Sequence, residues 1–209
     1  MKILSLSEYE RRIKKRKMLI FFLSIFIIWN VFFHGSAENC TTNLNEIVDA
    51  NDRWVEHWFN FYNLGKYTDP ITRKPLTLKK IQHLGLSISK WESNNNHKAK
   101  VWEKTVNGNS YGQYCILSTT AKVLGWNGKN IKDLFDIDTN AKYATKYLCI
   151  QLDNYKGNIV EGLAAYNAGK CRVNKKGKIR NQHYVDNVYP IYVSLNIQHY
   201  KYKGQGSGI

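Results

Sequence analysis

Asn158-Ile159-Val160-Glu161-Gly162-Leu163-Ala164-Ala165-Tyr166-Asn167-Ala168-Gly169 is the stretch on which the reading of this chain turns. Asn158 followed three residues later by Glu161 resembles a capping box, in which paired side chains satisfy N–H groups of a first helical turn. Ile159, Val160, Leu163 and Ala164 follow at helical spacing, and Gly169 is a suitable stop. The spacing predicts a helix from Ile159 to Gly169.

Helical periodicity extends to both sides. Leu44, Ile47, Val48, Val55, Trp58, Phe59 and Tyr62 predict an amphipathic helix over 44–64, stopped at Gly65. Asp69-Pro70 and Lys74-Pro75 mark a loop. Ile81, Leu84, Ile88 and Trp91 predict a helix over 78–92, ended by Asn94-Asn95-Asn96. Residues 104–117 are rich in Gly and Asn and read as a loop or short β-hairpin. Ser118 is expected to cap a short helix ending at Gly125. Asp138-Thr139 is expected to open a helix with Ala144, Leu148, Leu152 and Tyr155 on one face, closing at Gly157. A last helix is expected over 183–195, bent at Pro190. No long strand and no internal repeat is evident, so the domain reads as mainly α. The expected organisation is a leader over 1–37, a helical extension over 38–75, a main domain over 76–200 and a flexible tail over 201–209.

Composition sets outer bounds. With 209 residues, 43% of them hydrophobic, 14 Tyr, 8 Phe and 6 Trp, the chain has enough apolar surface for one real core. The formal net charge is +15. Residues 1–37 hold seven Lys or Arg and two Glu, so most of the excess lies beyond them. Such a charge favours a polyanionic partner: nucleic acid, anionic lipid or cell-wall polymer.

The N-terminus narrows that choice. Arg11, Arg12, Lys14, Lys15, Arg16 and Lys17 precede an uncharged run of 16 residues, Met18 to Phe33, and then small residues at Gly35 and Ala37. That is the secretory signal pattern, with cleavage expected near Ala37. The run is shorter than the ~20 residues that span a bilayer comfortably, yet it suits an uncleaved, inward-positive anchor. Either way the chain is read as exported to the periplasm or cell envelope, which makes nucleic acid a poor partner. Contact with the membrane is expected only through this segment.

Cys40, Cys115, Cys149 and Cys171 all follow the leader. An even number in an exported chain predicts two disulfides, with three connectivities open. Free buried thiols are the alternative. There is no C-x-x-C pair and no H-E-x-x-H segment, so no metal and no cofactor is expected.

Glu92 falls four residues after Ile88 and one after Trp91. On a helix this places it beside the apolar face, near the negative end of the helix dipole. Poor solvation, an apolar neighbour and the dipole all oppose ionisation and raise a carboxyl's pKa. A carboxyl protonated near neutral pH can donate to a leaving oxygen. Taken alone, the segment favours a partly exposed Glu that caps the helix or pairs with Lys90 or Lys100.

Four segments together change that balance. Ile88-Ser89-Lys90-Trp91-Glu92-Ser93-Asn94 resembles the Glu-Ser segment of the soluble-type (SLT, family 1) lytic murein transglycosylases. Ser110-Tyr111-Gly112-Gln113-Tyr114-Cys115-Ile116 stands where that family has Ser-x-Gly-Leu-Met-Gln-Ile. Residues 162–169 match its Ala-Leu-Ala-Ala-Tyr-Asn-Ala-Gly segment almost throughout, and Tyr184-Val185-Asp186-Asn187-Val188 matches its Tyr-Val-x-x-Val. The order is the family's, over about residues 78–195.

The resemblance implies a lysozyme-like α+β domain with a small loop or hairpin beside a glycan groove. It implies one catalytic carboxyl, Glu92, where glycosidases ordinarily use two; Glu103, Asp133 and Asp136 match no catalytic position of the family, and Glu103 reads as surface or loop. By position, Ser93 would bond Glu92 or the sugar, Ser110 and Gly112 would line the loop, Tyr166 and Asn167 would border the acetamido group, and Tyr184 would lie near Glu92. The family's loop Gln is Cys115 here, so either Gln113 supplies the amide from a shifted position or the subsite differs. Cys115 is otherwise a candidate to pair with Cys149 or Cys171. The implied substrate is peptidoglycan, cleaved between N-acetylmuramic acid and N-acetylglucosamine to leave 1,6-anhydro ends. Family analogy adds a secretion or other envelope-spanning complex as a partner class. The alternatives are a lysozyme-type hydrolase and an inactive glycan-binding module. Lys170, Arg172, Lys175, Lys176, Lys178 and Arg180 form a basic run that is either a solvated loop or a rim attracting murein carboxylates.

Overall fold

The computed structural model describes residues 44–205. The leader, Cys40 and residues 206–209 lie outside the described residues. The described residues are mainly helical, with six α-helices and one three-stranded antiparallel sheet in the order β1-β2-β3.

Helix α1 (Leu44–Phe61) buries Ile47, Ala50, Val55 and Trp58. These residues belong to the same hydrophobic cluster as the rest of the domain. The helix is also tied by polar groups. Trp58 Nε1 donates to the Lys142 carbonyl at 3.1 Å, and Trp54 Nε1 to Asp138 at 2.6 Å. Where α1 crosses α2 (Leu78–Ser93), a Cβ on Gly85 would stand 2.2 Å from Asn51 Oδ1. Only glycine allows the two helices to come this close.

α2 is capped at both ends. The Thr77 side chain accepts from the Lys80 N–H, and Asn94 closes the helix in the left-handed region, φ 57°. Ile81, Leu84 and Ile88 are wholly buried, each contributing about 1.5–3 kcal/mol. Trp91 continues the same spacing but is 40% exposed and meets the edge of the His183 ring.

The sheet starts earlier than the Gly/Asn-rich stretch predicts. β1 (Lys100–Glu103), β2 (Gly108–Tyr111) and β3 (Ile116–Leu117) pair with Val101 opposite Ser110 and Ser110 opposite Leu117. Helix α3 (Ser118–Val123) follows without a gap. Its capping position is Leu117, so Ser118 is the first helical residue and provides no side-chain cap. The strand pairing continues to the residue before the helix, leaving no room for an Asx- or Ser-type turn.

After a 3₁₀ turn (Ile131–Phe135) comes α4 (Ile137–Asn154). Its cap is Asp136, which accepts from the Thr139 N–H at 2.8 Å, two residues before the predicted opening at Asp138. Asp138 is engaged by Arg53 and Trp54 of α1 instead. Helix α5 (Ile159–Ala168) keeps half of the expected capping box: Asn158 accepts from the Glu161 N–H at 3.2 Å, while the Asn158 N–H itself donates to the Tyr155 carbonyl at 3.0 Å, and Gly169 closes the helix at φ 77°. Helix α6 (Gln182–Gln205) runs through Pro190 and ends ten residues beyond the predicted stop. α6 packs against both α2 and α5.

Among the described cysteines there is no disulfide: Cys115, Cys149 and Cys171 are free thiols. Their surroundings differ. Cys149 is sealed in the core on α4, Cys171 follows α5, and Cys115 lies in the turn before β3. The predicted pairing of Cys115 with Cys149 or Cys171 is therefore not formed.

Candidate active site

Ile88 is wholly buried, and one helical turn later Glu92 emerges half-buried into a cavity of about 730 Å³. Opposite the end of α2, Tyr184 on α6 donates its hydroxyl to Glu92 Oε1 at 2.7 Å. Burial pushes the Glu92 carboxyl up to about 7; the Tyr184 hydrogen bond opposes the rise, and the charge of Glu103 adds to it. The cause is chiefly desolvation. Burial and the neighbouring Glu92 also hold the Tyr184 phenol far above its ordinary value, so it remains a donor.

One wall of the cavity is helical. Tyr166 and Asn167, at the end of α5, line it. Tyr166 is 8% exposed and its hydroxyl lies 3.4 Å from the Tyr114 carbonyl; its ring leans on Tyr147, another lining residue. Asn167 accepts at Oδ1 from Asn181 Nδ2, 3.1 Å away. Glu92, Tyr166, Asn167 and Tyr184 are thus gathered from three helices.

The other wall is the sheet and the turn Gly112–Cys115, closed by Cys115 N–H to the Gly112 carbonyl at 3.0 Å. Asn140 of α4 fastens this turn. It accepts from the Tyr114 N–H at 3.0 Å and donates to the carbonyls of Tyr111 and Leu134 at 2.8 and 2.9 Å. Gly112 sits at φ +74°, and a Cβ there would stand 2.2 Å from Asn140 Nδ2. Ser93 braces the turn from α2, donating to the Gln113 carbonyl at 2.8 Å and accepting from the Asn96 N–H at 2.9 Å.

These facts separate the predicted loop residues from the cavity. Gln113 is wholly buried and donates to the Ile137 carbonyl at 2.8 Å, so its amide holds α4 and does not face a sugar. Ser110 is likewise wholly buried. Gly112 and Ser93 shape the turn and are not among the residues lining the cavity. Each is drawn inward because a turn packed on α4 must satisfy its polar groups locally. Of this turn, it is Cys115 that lines the cavity. Its thiol points to the Glu92 carbonyl at 3.5 Å, and burial pushes it up to about 12. Protonated at neutral pH, it is a poor nucleophile.

Glu103 is the main departure from the sequence reading. At the end of β1 it is half-buried and lines the cavity with Glu92. Its Oε1 accepts from the Ser110 hydroxyl at 3.1 Å, a diagonal pair across β1 and β2. Periodicity gave no signal for it, because a four-residue strand shows its inward face only once its register is known. Lys170, Arg172 and Arg180 of the basic run also line the cavity. Among the described residues, no cluster of His, Cys, Asp and Glu could hold a metal ion.

The model of the transglycosylase SLT domain matches residues 79–188, more than half of the chain. The chain belongs to this family. Its mainly α, lysozyme-like fold is the family's, and the matched span opens with α2 and closes on Val188 in α6. At the level of the family, the activity is that of a peptidoglycan lytic transglycosylase.

Proposed function

We propose that this SLT-domain protein cleaves the β-1,4 bond between N-acetylmuramic acid and N-acetylglucosamine, leaving 1,6-anhydro-muramyl ends. The observation that carries the reading is Glu92 beside the Tyr184 hydroxyl, its pKa near 7 in a cavity large enough for sugars. Half of such groups are protonated near neutral pH, which suits one carboxyl acting first as acid and then as base.

In the proposed sequence Glu92 donates its proton to the glycosidic oxygen and the muramyl C1–O bond breaks. The 2-acetamido oxygen of the same sugar closes on C1 and holds the positive charge. Glu92, now ionised, takes the proton of the muramyl 6-hydroxyl. O6 attacks C1, the acetamido oxygen leaves, and the anhydro ring forms. Glu92 thereby ends the cycle protonated, as it began, and no water is consumed. Tyr184 stabilises the ionised form between the two halves. Tyr166 and Asn167, which line the same cavity, would border the acetamido group.

Glu103 favours a second reading. A second carboxylate in the same cavity could activate water, which would make the protein a hydrolase of the lysozyme kind. Because peptidoglycan lies outside the cytoplasmic membrane, both readings require export; residues 11–37 would supply it as signal or anchor. Local opening of the wall for a secretion or envelope-spanning complex is the biological task we infer, by family analogy.

The test is mass spectrometry of muropeptides released from purified peptidoglycan by the chain and by Glu92→Gln. Anhydro-muramyl ends from the wild type and none from the variant are expected. Reducing ends would replace the lyase with the hydrolase. Binding without release, from folded wild type, would leave a glycan-binding module.

A further inference from the structure

The basic run after α5 is a built element. Val173 and Ile179 form an antiparallel bridge, the Arg180 N–H donates to the Arg172 carbonyl at 2.8 Å, and the Asn174 N–H donates to the Lys178 carbonyl at 2.8 Å. Asn174 Oδ1 closes the tip by accepting from the N–H groups of Lys176 and Lys178. Both arms are anchored. The Cys171 N–H donates to the Tyr155 hydroxyl at 2.8 Å, and Asn181 Nδ2 donates to the Ala164 carbonyl at 2.9 Å and to Asn167. Asn167 lines the cavity with Tyr166, so the hairpin is fixed to the wall of the site itself.

At its base Arg172 and Arg180 are cross-strand neighbours, with Lys170 two residues before, and all three line the cavity that holds Glu92. Like charges set side by side on a hairpin are unfavourable. Among the described residues, the ion pairs involve Arg53, Lys66 and Lys79, and none reaches these three cations. Two guanidinium groups on a fixed scaffold suit carboxylates, which match the guanidinium fork in geometry as well as charge.

We propose that the hairpin 170–181 is a carboxylate-binding subsite that holds the peptide stems of the murein strand while the glycan lies against Glu92. The proposal rests on the peptidoglycan reading above and adds to it a preference for strands with charged stems. The sugars are neutral, whereas the stems carry free carboxylates. A stem seated on the hairpin therefore fixes which sugar faces Glu92. The shared chemistry could also come from the lactyl carboxylate exposed when a stem is removed, and the substrates below separate the two.

The experiment compares the full chain with Arg172→Gln/Arg180→Gln. Three strand preparations are used: intact, intact with stem carboxylates amidated, and stripped of stems by an amidase. On intact strands the variant is expected to lose about tenfold to a hundredfold in kcat/KM, mostly through KM. On amidated and on stripped strands the wild-type advantage is expected to shrink below about twofold. An advantage that persists on stripped strands overturns the stem as ligand in favour of the lactyl group. An advantage of equal size on amidated strands overturns a carboxylate subsite altogether. Co-sedimentation of Glu92→Gln, with and without the two arginine changes, repeats the comparison as binding. It therefore reads the subsite even if no strand is cleaved, so failure of the catalytic reading is distinguishable from failure of this one. Unchanged thermal unfolding of the variant excludes loss of fold.

Discussion

The two walls of the cavity are held in place by different means. On the helical wall, Glu92, Tyr166 and Asn167 stand at the ends of α2 and α5, and each direction follows from the turn just before it. On the sheet wall, Glu103 and Cys115 depend on a strand register and on Asn140, whose three hydrogen bonds reach Tyr111, Tyr114 and Leu134. One wall is set locally; the other is set by a clamp from a distant helix. Damage to the clamp should therefore cost fold stability, whereas damage at the helical wall should cost chemistry with the fold intact.

Five variants probe that contrast, from the largest effect to the smallest. Glu92→Gln should reduce muropeptide release by about a thousandfold or more while strand binding persists. The same variant should melt higher than wild type at pH 8. Because its pKa is raised in the fold, Glu92 contributes stability that is present below its unfolded value near 4.5 and is lost as pH rises through about 7. The gain should be about 1–3 kcal/mol at most. A melting temperature that drops would show that Glu92 belongs to the framework, and the contrast would break.

Asn140→Ala leaves one N–H and two carbonyls of the turn region without their partner. A loss of about 2–4 kcal/mol is expected, read by urea or thermal unfolding. Gly112→Ala should cost a comparable amount, since the added Cβ collides with Asn140 at positive φ. The pair should be non-additive in a double-mutant cycle, as one clamp serves both. Full stability in either variant would mean that the sheet wall does not need the clamp.

Tyr184→Phe removes the hydrogen bond that restrains the Glu92 pKa, so the alkaline limb of the kcat/KM profile should move to higher pH. Its rate should fall about two- to tenfold, because the ionised intermediate loses a donor. Glu103→Gln works in the opposite direction. Removal of its charge lowers the Glu92 pKa and moves the same limb to lower pH. Under the lyase reading the anhydro product is retained. Disappearance of reducing-end product in Glu103→Gln would instead mark Glu103 as the base of a hydrolase.

Reading the chain without coordinates succeeded where period and capping act within one segment. Asn158 and Gly169 bound α5, and Ile81, Leu84 and Ile88 identify the buried face of α2 from which Glu92 emerges. It failed at Gln113 and Ser110, where a polar residue in a loop looks available to a ligand yet is consumed by the framework. It failed at Glu103 for the converse reason: a carboxylate on a short strand carries no periodic signature, although it faces the cavity. The cysteine count favoured disulfides, but three of the four are separate free thiols.

The sequence by itself determined where the helices fall, the bounds of α5, the family segments and the place of Glu92 at the end of α2, because each depends on residues within one or two turns of one another. Tertiary structure decided the rest: that Tyr184 reaches Glu92 across 92 positions of chain, that Asn140 fixes the turn, and that Glu103 and the arginine pair face one cavity. Those are meetings between segments, and the direction of a side chain at such a meeting is set by packing and register, which local periodicity does not encode.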